Sequence, residues 1–189
     1  MSRSIKTLEL ISNTDFSVQR NEREDFENCE FSNCVFSDIS NLNFIDCVFR
    51  SCNLSNCKVN NTKFQDVKFN DCKLLGINFY QAKDFAFALN CSNCNMDYAS
   101  FDKKKLNKSV FANCKMHSVN FTQADLTKTV FENCDLYEAI FNNSNLSGVD
   151  LTRITNFSID PELNNIKKAK FLSQDLERLL ERHQIIVEQ

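Results

Sequence analysis

Residues 114–153 read CKMHS VNFTQ ADLTK TVFEN CDLYE AIFNN SNLSG VDLTR, eight groups of five in one unbroken frame. In group after group a small residue, such as Cys114, Val119 or Ala124, stands two places before a large apolar one, such as Met116, Phe121 or Leu126. Residues two apart in an extended chain lie on the same side, so both members of each pair can face inward. The next inward residue follows three places later, and that slip from strict alternation demands a corner. Neither a helix of period 3.6 nor a plain strand of period 2 produces this spacing.

The frame extends outward in both directions. It reaches back to Leu89 through Cys94-Asn-Met and Ala99-Ser-Phe, and holds forward to Arg153. An earlier block starts at Cys29 and Cys34. It resumes as Leu42-Asn-Phe, Cys47-Val-Phe, Cys52-Asn-Leu and Cys57-Lys-Val, and runs to the pentad of Ile77 and Phe79. Central residues from Cys91 to Leu151 compared at a lag of twenty are identical in six of nine pairs, among them Phe101/Phe121/Phe141 and Leu106/Leu126/Leu146. A lag of fifteen yields one identity. A lag of ten also matches, but two corners make a flat turn with no room for phenylalanine. Four sides enclose the rings, so Phe101, Phe121 and Phe141 are expected to stack as one inward ladder and Cys94, Cys114 and Cys134 as another.

Composition narrows function. Among 189 residues there are 18 phenylalanines, no tryptophan, ten cysteines, two glycines (Gly76 and Gly148) and one proline, Pro161. Two glycines cannot build a phosphate loop or a dinucleotide fingerprint. Two histidines, His117 and His183, offer little for acid–base work. A net charge of −3 argues against direct nucleic-acid binding. No run approaches the roughly 20 apolar residues of a membrane span, and the stretch from Met1 to Asn13 lacks the apolar core of a signal peptide. Cysteines without such a signal suggest free thiols in a cytoplasm. Nine of the ten occupy the small inward slot, where free Cys packs as a small hydrophobe. Cys91-Ser-Asn-Cys94 is a single CxxC, too little for a zinc site. The expectation is therefore no metal, no cofactor and no catalytic residue. His117 follows the inward Met116 and is expected to point to solvent.

The pentad Ala124-Asp-Leu-Thr-Lys resembles the alanine–acid/amide–leucine signature of the pentapeptide-repeat family, and similar pentads cover roughly residues 24 to 153. The resemblance implies an all-β fold, a right-handed quadrilateral β-helix. The expected organisation is an N-terminal cap over 1–22, the repeat over 23–153, and a connector, helix and short strand over 154–189. The best-understood members, the Qnr-type quinolone-resistance and microcin-immunity proteins, bind bacterial type II topoisomerases. They are thought to imitate DNA with an acidic rod and to dimerise through a C-terminal helix. Length, two interruptions and a terminal helix-plus-strand make this sequence similar to that branch. A structural scaffold for another protein partner is the alternative, and nothing resembling a triad supports an enzyme.

Three departures from the frame carry the site expectations. One slip falls between Phe36 and Phe44, near 37–43, and another near 80–90, where Tyr80, Lys83, Phe85 and Phe87 fit no clean pentad. Binding residues on rigid scaffolds concentrate in such interruptions, so these four are the expected partner-binding residues, the alternative being a local bulge with the Phe85 and Phe87 rings tucked under it. Past Asp160-Pro161, Ser173 reads as the N-cap of an α-helix that caps the rod. Leu176, Leu179 and Leu180 on that helix, with Ile185, Ile186 and Val187 as a following strand, are the expected homodimer interface.

Charge comes in blocks. Glu22 to Asp46 holds seven acids and one base, Arg50 to Lys83 six bases and two acids, and Asp125 to Asp150 five acids against Lys128. Lys58, Lys63, Lys68 and Lys73 are expected on successive sides as a girdle, which opposes uniform DNA mimicry.

Overall fold

Inward residues alternating at two and then three places leave the chain only short straight sides, and the strands are accordingly two to four residues long. The computed structural model, which describes residues 8–18 and 25–186, is a right-handed, four-sided β-helix of about seven turns with one short helix at its end. One face carries β1 (Glu9–Ser12), β3 (Cys29–Ser32), β5 (Val48–Arg50), β7 (Val67–Asn70), β8 (Leu89–Ser92), β9 (Val110–Ala112) and β10 (Val130–Glu132), paired in that order. A second sheet orders β2 (Asp25–Glu27), β4 (Asn43–Ile45) and β6 (Lys63–Gln65), and a third joins β11 (Cys134–Asp135) to β12 (Ile154–Thr155). Every pairing is parallel, the pattern of one coil laid on the next.

The offset between paired residues is twenty through most of the rod, as for Phe111 and Phe131. It falls to 18 where Phe26 meets Phe44 and Phe31 meets Phe49. The first interruption is thus a two-residue deletion: Phe36 and Ile39, three apart, are both buried core residues. The offset rises to 22 where Val67 meets Leu89 and Asn78 meets Ser100, so the second interruption is a two-residue insertion. The rod also outruns the expected repeat at both ends. β1 forms a rung before Cys29, and Asn145 and Asp150 pair with Asn165 and Lys170 beyond Arg153.

Phenylalanine fills the interior as ladders. Phe79, Phe101, Phe121 and Phe141 stack with ring centroids 4.9, 5.5 and 5.2 Å apart, so the expected ladder forms and continues one coil further. Each buried ring contributes on the order of 1.5–3 kcal/mol, set against the ordering of the chain. Corners solve the glycine shortage. The residue two past most centres turns in the left-handed region, and asparagine holds more of these positions than any other residue, Asn33, Asn93 and Asn113 among them. Its short amide tolerates that conformation.

At many rungs the small inward slot also carries a hydrogen bond. Cys52 Sγ accepts the Cys34 amide at 3.4 Å and donates to the Phe31 carbonyl at 3.3 Å. Cys72, Cys94, Cys114 and Cys134 donate likewise to central carbonyls one coil earlier, at 3.3–3.5 Å. Oxygen does the same lower down: Ser144 Oγ donates to the Phe121 carbonyl, and Asn164 both accepts from Ser144 N and donates to Phe141 O. Ala99, Val119, Ala124 and Val149 fill the same slot by size alone, so a compact side chain suffices there, and cysteine, serine or threonine adds a hydrogen bond to the coil before. All ten thiols are free and buried. Burial pushes the Cys47 thiol up to about 11 and the Cys57 thiol to about 12, so both stay protonated and unreactive at neutral pH. Cys94→Ser should therefore leave the urea midpoint nearly unchanged, while Cys94→Ala removes the donor to Phe69 O and costs about 1–3 kcal/mol. Equal midpoints for the two variants would show that only size matters.

At the C-terminus the helix is present, but it is a 3-10 helix over Ser173–Leu179 followed by another over Glu181–His183, not the expected α-helix. A 3-10 winding aligns residues three apart, which places Arg178 Nε 3.5 Å from Asp175 Oδ1 and sets Leu179 on the same line as Leu176. Ser173 is the first residue of the helix and not its cap, and no side chain caps it. Ile185 and Ile186 form no strand; Val187 lies outside the described residues.

Candidate protein-binding site

The two-residue insertion is placed with some economy. Phe79–Gln81 forms one 3-10 turn, Ala82 enters the small inward slot, and Phe87 takes the central slot. Residues 83–86 are left to bulge outward, with Ala86 turning at φ 56 and Phe87 N bonded to Asp84 O. Of the four expected contact residues, three reach the surface. Tyr80 and Lys83 are exposed, and Phe85 is 77% exposed at the tip of the bulge. Phe87 does not: at 6% exposure it packs edge-on to Phe64 and Phe79, 6.1 and 6.3 Å away. The expectation of a second surface anchor is corrected, because the frame needs a large apolar side chain in that central slot and Phe87 supplies it.

Lys104 holds this arrangement. It occupies the small inward slot of its own pentad, where the coils on either side have Ala82 and Ala124, and it is 2% exposed. Its Nζ donates to the Ala82 carbonyl and, at 2.6 Å, to Asp84 Oδ1, and it sits 5.0 Å from the Phe87 ring centroid. The bulge is thereby tied to the core from beneath. Above it, Lys63 Nζ lies 5.8 Å from the Phe85 ring and Lys83 Nζ donates to Asn43 Oδ1 at 3.2 Å.

Elsewhere on the surface, His117 points outward but is not idle. Its Nε2 lies 2.7 Å from Asp135 Oδ2 and its ring meets Tyr137 edge-on. Partial burial of Asp135 works against ionisation, yet hydrogen bonds from His117 and Asn156 hold its carboxyl below the usual range. Nearby, a cleft of about 710 Å³ opens between this face and the terminal helix, lined by Lys115, Asp135, Arg153, Asn156, Leu172 and Arg178. Among the described residues no three His, Cys, Asp or Glu side chains converge to hold a metal, and no helix is long and apolar enough to cross a membrane.

On the terminal helix Leu179 packs against the core, while Leu176 and Leu180 remain exposed. Ile185 is exposed and Ile186 is 89% exposed. Arg182 ties the segment to the last coil through Asp160 and Glu162, at 2.8 and 2.9 Å.

The family model for pentapeptide repeats matches residues 90–127 and 114–153, and that for a pentapeptide repeat region matches residues 24–90. The chain belongs to the pentapeptide-repeat family. Among solved structures it is similar to a trypsin-treated form of QnrB1, a plasmid-mediated fluoroquinolone resistance protein. The two are 22% identical over 96% of this chain and 98% of that one, with a TM-score of 0.51. HetL, a pentapeptide repeat protein involved in heterocyst differentiation regulation in the cyanobacterium Nostoc sp. strain PCC 7120, is 12% identical over 85% of this chain and 81% of its own, with a TM-score of 0.44. No curated protein matches the sequence. The likeness to the QnrB1 form shows the fold alone.

Proposed function

We propose that the chain is a non-enzymatic binding rod that engages a protein partner through the bulge at residues 83–86, and that the partner is a bacterial type II topoisomerase. The observation that carries the binding reading is Phe85: a large ring held in solvent on a loop tied to the core by a buried lysine. An exposed aromatic on a fixed backbone is the usual form of an interface anchor. The topoisomerase reading rests on the Qnr-type resemblance, which runs nearly end to end. In a gyrase supercoiling assay with a quinolone, the protein is expected to protect the enzyme, and Phe85→Ala to abolish protection without lowering the urea midpoint. Absence of binding to gyrase and topoisomerase IV at micromolar concentration would transfer the reading to another protein partner. The lysine girdle favours that alternative if DNA mimicry is required. Lys58, Lys63, Lys68 and Lys73 do fall one to each face of a single coil, between acidic blocks.

The exposed apolar residues Leu176, Leu180, Ile185 and Ile186 support a two-fold homodimer through the terminal segment. Changing Leu176 and Leu180 to Glu is expected to convert dimers to monomers by light scattering. A parent protein already monomeric at tens of micromolar would reduce the segment to a plug.

A further inference from the structure

Outward residues one place before each centre form columns along the rod, one column per face. On three faces lysines in these columns are separated by other residues: Asp38, Lys58 and Asn78 on one, Val48, Lys68 and Asn90 on another, and Asn53, Lys73 and Asn95 on the third. The fourth face differs. Lys63 pairs with Asn43, Lys83 N bonds Thr62 O just as Lys63 N bonds Leu42 O, and the 22-residue offset sets Lys105 on the next coil. Three lysines therefore stack in register at about 4.8 Å per coil. Like charges in register repel, so the column opposes stability.

Nothing among the described residues neutralises it. Lys63, Lys83 and Lys105 make no ion pair, although the rod forms several elsewhere, such as Lys115 with Asp97, and the one polar side chain that Lys83 Nζ meets, Asn43, is uncharged. Asp84, the acid within the bulge, is taken by Lys104. Asp125, next in the column after Lys105, accepts the Thr127 amide and hydroxyl and lies 3.4 Å from Asn107 Nδ2. Phe85 stands beside the column against Lys63.

We propose that the column Lys63–Lys83–Lys105 is the docking line for an acidic α-helix of a partner protein, with Phe85 as the apolar contact alongside. The spacing argues for a helix. The three lysine rungs span two coil rises, about 10 Å at the backbone, with Lys83 Nζ free to leave its neutral Asn43 acceptor for a carboxylate, and helix carboxylates at i, i+3 or i+4, and i+7 span about 10.5 Å. Same-face side chains of an extended strand are about 6.8 Å apart and fall out of step. Nucleic acid fits poorly, because the basic run ends at Asn43 on one side and Asp125 on the other, and a duplex requires many more neutralised phosphates. The proposal rests on the bulge being the contact site and adds the chemistry of what it contacts.

The test does not require the partner to be identified first. A phage-displayed peptide library is panned on the immobilised full-length chain. Selected peptides are expected to carry Asp or Glu at i, i+3 or i+4, and i+7. Their affinity should fall about tenfold or more when Lys63, Lys83 and Lys105 become Glu. Reversing Lys58, Lys68 and Lys73 on the other faces should leave it intact. Changing the three column lysines to Gln relieves the repulsion and should melt no earlier than the parent, which separates lost binding from lost fold. No enrichment, or peptides without acids that still bind the Glu variant, overturns the proposal. Retention of a short oligonucleotide by the parent but not by the Glu variant also overturns it, in favour of nucleic acid. Failure of gyrase protection alongside acidic-helix selection would sink only the topoisomerase reading. A gyrase complex that depends on Phe85 but ignores the column lysines would sink only this one.

Discussion

Phe121→Ala is expected to lower the unfolding free energy by about 3–5 kcal/mol. The ring is fully buried between Phe101 and Phe141, with Phe131 edge-on at 6.1 Å. Deleting it removes stacking on both sides, and the hole cannot close. Coil separation is set by backbone bonds such as Phe121 N to Ile140 O, which hold the neighbouring rungs apart. Phe141→Ala, nearer the end of the ladder and slightly exposed, should cost less. Urea denaturation measures the loss, and amide exchange identifies the coils that open first. An unchanged midpoint for Phe121→Ala would mean that the register of the rod is wrong.

The ladders were legible because period five and lag twenty each leave independent marks on the sequence. Phe101, Phe121 and Phe141 recur at one lag, and the cysteines keep one slot. The place of the first slip, between Phe36 and Phe44, was also plain, but its nature was not. Periodicity counts residues modulo five, so a frame advanced by three and one shortened by two look alike, and the 18-residue register with the burial of both Phe36 and Ile39 shows the deletion. Phe85 and Phe87 were ambiguous because both lie in one apolar run and either could complete the coil. The deciding signal came some twenty residues later: the pentad frame that runs through Ala99 puts Lys104 in a slot reserved for small residues. Within Lys103-Lys104-Lys105 that lysine looks like part of a solvated basic run. The terminal helix type escaped because Leu176, Leu179 and Leu180, at i, i+3 and i+4, follow the α-helical period, while the 3-10 winding aligns only Leu176 and Leu179.

Lys104→Glu is expected to cost about 3–5 kcal/mol, more than any exposed charge reversal on the rod. The substitution leaves a buried carboxylate facing Asp84 and the Ala82 carbonyl, with no donor for either. Lys104→Met separates charge from packing. Methionine keeps much of the volume under Phe87 but gives Ala82 O no partner, a loss of about 1–3 kcal/mol. The Met variant should therefore fold, with faster amide exchange confined to residues 83–86 and faster chymotrypsin cleavage at Phe85. Asp84 is mostly solvent-exposed, so its carboxylate adds less than the buried carbonyl does. Asp84→Ala should accordingly loosen the bulge more weakly than Lys104→Met. The double variant should show coupling, since both changes act on one bond. If Lys104→Met cleaves and exchanges like the parent, the bulge is held by Phe87 packing alone, and the buried lysine has no part in presenting Phe85.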